Sequence, residues 1–144
     1  MAIFRIDNKY VFNDSTKEIK KLYSNKKLKL TFMRAQCLSY ILSHAEDEII
    51  SKHSVSQVLW GEKSPFTSDA SLTQALYLIR RDLKTIGIDD LFLTVPKLGV
   101  AVNKESLIEV LCDKPGKTRF KKTLSYIIFI AVFMLMTAGL AVFT

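Results

Sequence analysis

Over residues 2–30, apolar and polar side chains alternate imperfectly in four short runs, AIFRID, KYVFN, KEIKKLYS and KLKL. The polar turns DNK, NDST and SNKK separate them. A period of two sends successive side chains to opposite faces, so this segment predicts a small antiparallel sheet. The period then changes. In TFMRAQCLSYILSHA, Phe32, Ala35, Leu38, Leu42 and Ala45 recur at helical spacing behind Thr31, a suitable N-cap. The acidic run Glu46–Glu48 ends that helix in a polar loop. SKHSVSQVLWG predicts a second, short helix, capped by Ser51 and closed by Gly61. Its Val55, Val58 and Leu59 face inward, and Trp60 fills the space between helices.

A loop containing Pro65 leads to Ser68, the expected N-cap of a third helix, DASLTQALYLIRRDLK. Its apolar stripe is Leu72, Leu76, Ile79 and Leu83. With that stripe buried, a turn of about 100° per residue leaves Ser71, Thr73, Gln74, Tyr77, Arg80, Arg81 and Lys84 outside. Hydroxyl, amide and guanidinium groups of this kind bond base edges and phosphates. Carboxylates are scarce on this face: Asp82 is the exception, and Asp69 lies in the first turn, where it suits the helix dipole. An ordinary solvated amphipathic helix presents similar positions, and Leu78 lies at the margin between core and surface. LFLTVPKLGVAVN then forms two β-rich runs about a Pro–Lys–Leu–Gly turn, a hairpin.

Charge is uneven along the chain. The whole carries a formal net charge of +7, but residues 1–112 hold 16 Lys/Arg against 13 Asp/Glu. Residues 113–123 hold five Lys/Arg against one Asp, and residues 124–144 hold none. Bulk charge therefore says little about nucleic acid. The uncharged stretch from Leu124 to Phe143 gives about 30 Å of helix, the thickness of a bilayer's hydrocarbon core. It predicts a single transmembrane helix. The collar Lys114, Lys117, Arg119, Lys121 and Lys122 precedes it, and the positive-inside rule keeps residues 1–123 in the cytoplasm. The collar also suits anionic lipid headgroups. The sheet lysines Lys17, Lys20, Lys21, Lys26, Lys27 and Lys29 read as a solvated face, with a binding patch as the alternative.

Catalytic and metal chemistry find no pattern. His44 and His53 are isolated from any nucleophile, paired carboxylate or phosphate loop. Cys37 and Cys112 form no CxxC, and Cys37 in its apolar helical run reads as a small core residue. No enzyme, metal or cofactor is expected.

The order of sheet, three helices and hairpin resembles the winged-helix effector domain of OmpR/PhoB-type response regulators. The residues that carry the resemblance are Leu30–Thr31 opening the first helix, LSYIL within it, IISKHSVSQVLWG, SDASLTQALYLIRRDL and LTVPKLGVAV. It covers roughly residues 3–103. Two departures stand out. Arg34 occupies the place of an acidic residue usual in the first helix. Gly99–Val100–Ala101 replaces a Gly–Tyr–Arg-like run, so the wing keeps Lys97 alone.

A winged helix without a receiver domain, followed by a basic linker and a span, resembles the ToxR/CadC class of membrane-bound transcription regulators. The resemblance implies an α+β winged helix-turn-helix domain over residues 1–103, a juxtamembrane linker over 104–123 and a transmembrane helix over 124–143. It implies a tether to the bacterial inner membrane and double-stranded promoter DNA as the partner, with the third helix in the major groove and the wing at the adjacent minor groove. Carried over by position, Thr73, Gln74 and Tyr77 face bases, while Arg80, Arg81 and Lys97 hold phosphates. The loop from Gly61 to Thr67 lies where relatives contact RNA polymerase or a neighbouring domain. Self-association, or a membrane co-regulator, through the span is a further expectation. The competing reading is a membrane-anchored winged-helix adaptor that binds protein instead of DNA.

Overall fold

The computed structural model describes residues 1–66, 69–112 and 131–132. The expected N-cap Ser68 and the linker over 113–123 lie outside them. So does the expected span, apart from residues 131 and 132, which are helical. No helix among the described residues is long and apolar enough to cross a membrane.

The four expected N-terminal strands are β1 (Ile3–Ile6), β2 (Tyr10–Asn13), β3 (Glu18–Lys21) and β4 (Lys27–Lys29). They pair antiparallel in sequence order. The tight β1–β2 turn is set by Asp7 and Asn8, both at positive φ (51° and 55°), with the Lys9 N–H donating to the Ile6 carbonyl. Positive φ at both central residues matches the right-handed twist of the flanking strands, and short polar side chains tolerate it.

The linker does not begin at residue 104. β8 (Ile108–Cys112) pairs antiparallel with β1 and completes a five-stranded sheet, and the compact unit runs over Met1–Asp113. Two contacts tie the start of the strand to β1 and its following turn. Arg5 lies opposite Glu109 with 3.3 Å between guanidinium and carboxylate. Asp7 and Leu107 exchange two bonds of 2.8 Å.

Helix α1 (Phe32–Ser43) starts where expected, with the Thr31 hydroxyl accepting from the Arg34 N–H. Its buried stripe is Ala35, Cys37, Leu38, Ile41 and Leu42. Phe32, expected in the core, is the first residue of α1 and is 69% exposed, with the Lys17 ammonium 5.4 Å from its ring centroid. A two-residue strand β5 (Ile50–Ser51), not expected, leads into α2 (Lys52–Trp60). Ser51 caps α2 and Gly61 closes it at positive φ. Val55 is fully buried, whereas Val58, Leu59 and Trp60 are half-buried. The segment expected to be a loop is a 3-10 helix, Gly61–Phe66.

Helix α3 (Asp69–Ile86) buries Leu72, Leu76, Ile79, Leu83 and Ile86. The hairpin follows as β6 (Phe92–Val95) and β7 (Gly99–Val102). β5 pairs with β7, so the hairpin belongs to a three-stranded sheet of order β5-β7-β6. One continuous core joins the inner face of the large sheet (Phe4, Ile6, Tyr10, Phe12, Ile19) to the three helices and to Phe92, Val100 and Val102. The architecture is that of an α+β winged helix.

Candidate nucleic-acid interface

The face of α3 opposite its buried stripe carries Gln74, Tyr77, Arg81 and Lys84, all exposed. One flank of this face turns toward the hairpin. There the Thr73 hydroxyl donates to the Asp69 carbonyl at 2.9 Å. The Arg80 guanidinium donates to the Thr94 hydroxyl on β6 and lies 5.2 Å from the centroid of the Phe92 ring. Arg80 is therefore spent in part on tying α3 to the wing. Its Nε is buried without a hydrogen-bond partner. Arg81, by contrast, has a side chain 55% exposed and lies 3.5 Å from Asp82.

Lys97 sits at the tip of the wing. The Leu98 N–H donates to the Val95 carbonyl at 3.2 Å, closing a turn with Pro96 second and Lys97 third. Lys97 has φ 64°, the positive value a type II turn requires at that place and one usually left to glycine. The ammonium-bearing side chain is thus projected from the tip by a conformation the chain holds at some cost. Between α3 and the wing lies a groove of about 120 Å³, with Lys52, Asp69, Thr73, Thr94 and Lys97 on its walls.

Ser71 is on the other flank. With Gln74 and Leu78 it lines a groove of about 360 Å³ shared with Thr31, Arg34 and Trp60. The structure thus gathers Thr73, Gln74, Tyr77, Arg81 and Lys84 on the outer face, turns Arg80 toward the wing, and sets Ser71 apart. Lys52 and Thr94 were missed by sequence reasoning. Lys52 had a signal, since a basic residue belongs to the family pattern at the start of the second helix; Thr94 had none.

Of the two carboxylates of α3, Asp82 is withdrawn from this surface and Asp69 stays exposed in its first turn. Asp82 meets Arg34 on α1 at 2.6 Å, with the two side chains 13% and 26% exposed. Arg34, a departure from the expected acidic residue, therefore has a defined partner: it neutralises the one carboxylate in the second half of α3. Asp69 meets Lys52 at 2.8 Å. Past the helix end, Asp89 and Asp90 share a hollow of about 360 Å³ with Arg81 and Lys84.

No protein-family model matches the chain, and no curated protein matches its sequence. Solved structures do match. The DNA-binding domain of E. coli CadC is similar over 74% of this chain and 96% of that one, with TM-score 0.60 and 19% identity. The DNA-binding domain of the response regulator AdeR, in complex with an intercistronic region, matches over 66% and 94%, with TM-score 0.55 and 14% identity. The DNA-binding domain of CpxR from E. coli matches over 69% and 94%, with TM-score 0.52 and 19% identity. At these identities the likeness is one of fold.

Proposed function

We propose that this chain is a membrane-anchored bacterial transcription regulator that reads promoter DNA through its winged-helix unit. α3 enters the major groove, with Thr73, Gln74 and Tyr77 toward base edges and Arg81 and Lys84 on phosphates. Lys97 reaches the backbone beside the adjacent minor groove. The observation that carries this reading is the outer face of α3: exposed hydroxyl, amide and cationic groups, with Asp82 turned away onto Arg34. The fold shared with CadC, CpxR and the DNA-bound AdeR domain supports it. The anchor rests on the uncharged stretch Leu124 to Phe143 behind its basic collar.

A second reading, the protein-binding adaptor, draws on the wing, where Leu93 and Leu98 are 54% and 55% exposed. The test separates the two. Full-length chain in nanodiscs of neutral lipid is incubated with genomic DNA fragments at several salt concentrations. Enrichment of a repeated sequence is expected, with log affinity falling linearly in log salt. Arg81→Ala/Lys84→Ala should lower the affinity and reduce the salt slope by about 2, near 0.9 per phosphate contact. No enrichment from folded protein would sink the DNA reading and favour the adaptor.

A further inference from the structure

The lysines of the large sheet are not spread evenly along it. The β1–β2 turn and the β3–β4 turn lie at one end, where the Leu22 N–H donates to the Lys9 carbonyl at 2.7 Å. Lys9, Lys20, Lys26 and Lys27 are all exposed at that end. None of their ammonium groups makes an ion pair among the described residues. Lys21 beside them lies 5.8 Å from the centroid of the Tyr10 ring and makes no ion pair among the described residues. Lys20 and Lys27 are direct cross-strand partners on the sheet face that the helices leave uncovered. Like charges opposite each other destabilise a sheet. Lysines on an edge strand guard it against unwanted pairing, which accounts for β4. It does not account for Lys20 on the interior strand β3, nor for Lys9 in the neighbouring turn. Tyr23 stands at the tip of the same hairpin, fully exposed at 103% and at φ 59°. An aromatic ring held out among unpaired cations has the composition of a headgroup-level anchor.

We propose that this end of the sheet docks on anionic phospholipid headgroups, with Lys9, Lys20, Lys26 and Lys27 over the phosphates and Tyr23 inserted between them. The inference rests on the membrane-anchored reading, because a domain tethered to a bilayer meets that surface at high effective concentration. The occupant is chosen by charge complementarity and by the chain's own uncharged stretch Leu124 to Phe143. Lys20 and Lys27 lie on the sheet face away from the helices, so docking leaves the outer face of α3 open.

The test uses the full chain carrying Tyr23→Trp, reconstituted in vesicles of phosphatidylcholine alone or enriched in phosphatidylserine, both with brominated acyl chains. The unaltered chain, whose single tryptophan is Trp60, supplies the background. Extra quenching is expected with phosphatidylserine alone, falling as salt rises. Lys20→Gln/Lys26→Gln/Lys27→Gln should shift the docked-to-free ratio by about 100-fold, from roughly fivefold per lysine near an anionic surface. These side chains are exposed, and circular dichroism confirms folding of each variant. A chain that floats with both vesicles but shows no extra quenching overturns the docking surface and leaves the anchor standing. A chain that floats only with phosphatidylserine, and only with its lysines, overturns the anchor and supports the surface. Loss of DNA affinity in the triple variant with quenching intact would assign the lysines to DNA phosphates and overturn the proposal.

Discussion

Gly99→Ala tests whether the wing is closed against the body of the domain through β5. A Cβ at Gly99 would lie 1.9 Å from the Ile50 carbonyl oxygen, 2.8 Å from the Lys52 nitrogen and 2.9 Å from the Ile50 carbonyl carbon. All three atoms are backbone, so no side chain can swing aside, and β5 must move by more than about 1 Å to reach an ordinary C···O contact. β5 is not free to move alone: Ser51 caps α2, and the Lys52 N–H donates to the Leu98 carbonyl at 3.1 Å. Displacement breaks that bond and the Ile50–Val100 and Ser51–Gly99 pairing. Losing two or three hydrogen bonds at about 1 kcal/mol each gives about 2–3 kcal/mol. A side chain at φ 154° adds strain of about 1 kcal/mol or more.

The expected total of about 3–4 kcal/mol corresponds to a drop in Tm of roughly 10–20 °C for a unit of this size. Thermal unfolding followed by circular dichroism measures it. Gly61→Ala is the control. Gly61 has φ 55° but nothing within 4 Å of its added Cβ, so it should cost only the backbone term, about 1–2 kcal/mol. If the two variants melt within about 2 °C of each other, the reasoning about β5 is wrong.

Two further outcomes are expected. Arg34→Ala and Asp82→Ala should each destabilise, and a double-mutant cycle by urea unfolding should return a coupling of about 1–2 kcal/mol, because the pair is half-buried and at 2.6 Å; strict additivity would refute the link between α1 and α3. Burial pushes the Cys37 thiol from 9.0 up to about 12. In a Cys112→Ser background, Cys37 should resist a thiol reagent until the protein unfolds. The folded state holds the proton more tightly, so the contribution of Cys37 to stability is present below pH 9 and is lost as pH rises toward about 12. Rapid labelling of folded protein, or flat stability across that window, would contradict the burial.

Most of the fold could be read from periodicity. The alternating runs of β1 to β4, the Thr31 and Ser51 caps and the Leu72–Leu76–Ile79–Leu83 stripe are local patterns, and each forms as local rules dictate. What escaped is non-local or short. β5 has two residues, too few for any alternation to register, and exists because β7 offers it an edge. β8 reads as the start of a linker until β1, more than a hundred positions earlier, supplies its partner. Phe32 misled because spacing does not reveal which residues of a helix its neighbours cover. Within the site, periodicity found the outer face of α3 but could not tell its flanks apart. That Arg80 leans toward Thr94 and Ser71 toward Trp60 depends on which elements border the helix.

Gly99–Val100–Ala101 shows the same limit from the other direction. By resemblance alone, the run is a wing that has lost an aromatic and a phosphate contact, which weakens the case for DNA. In the fold, Gly99 is required by the approach of Ile50, and Val100 is buried. The run closes the wing sheet, and the exposed cation of the wing is Lys97 at the tip. Net charge behaves alike. A surplus of three over residues 1–112 argues against a polyanion partner only if charges are exposed in proportion. They are not: Asp82, at 13% exposed, is drawn off the face of α3 onto Arg34. Lys84 and Lys97 on one surface, and Lys20, Lys26 and Lys27 on another, make no ion pair among the described residues. Local potential, which steers a phosphate, follows the exposed charges of both signs near the contact and not the total over the domain. The modest total, one support for a protein-binding adaptor beside the altered wing, therefore weighs less than the surface that α3 presents.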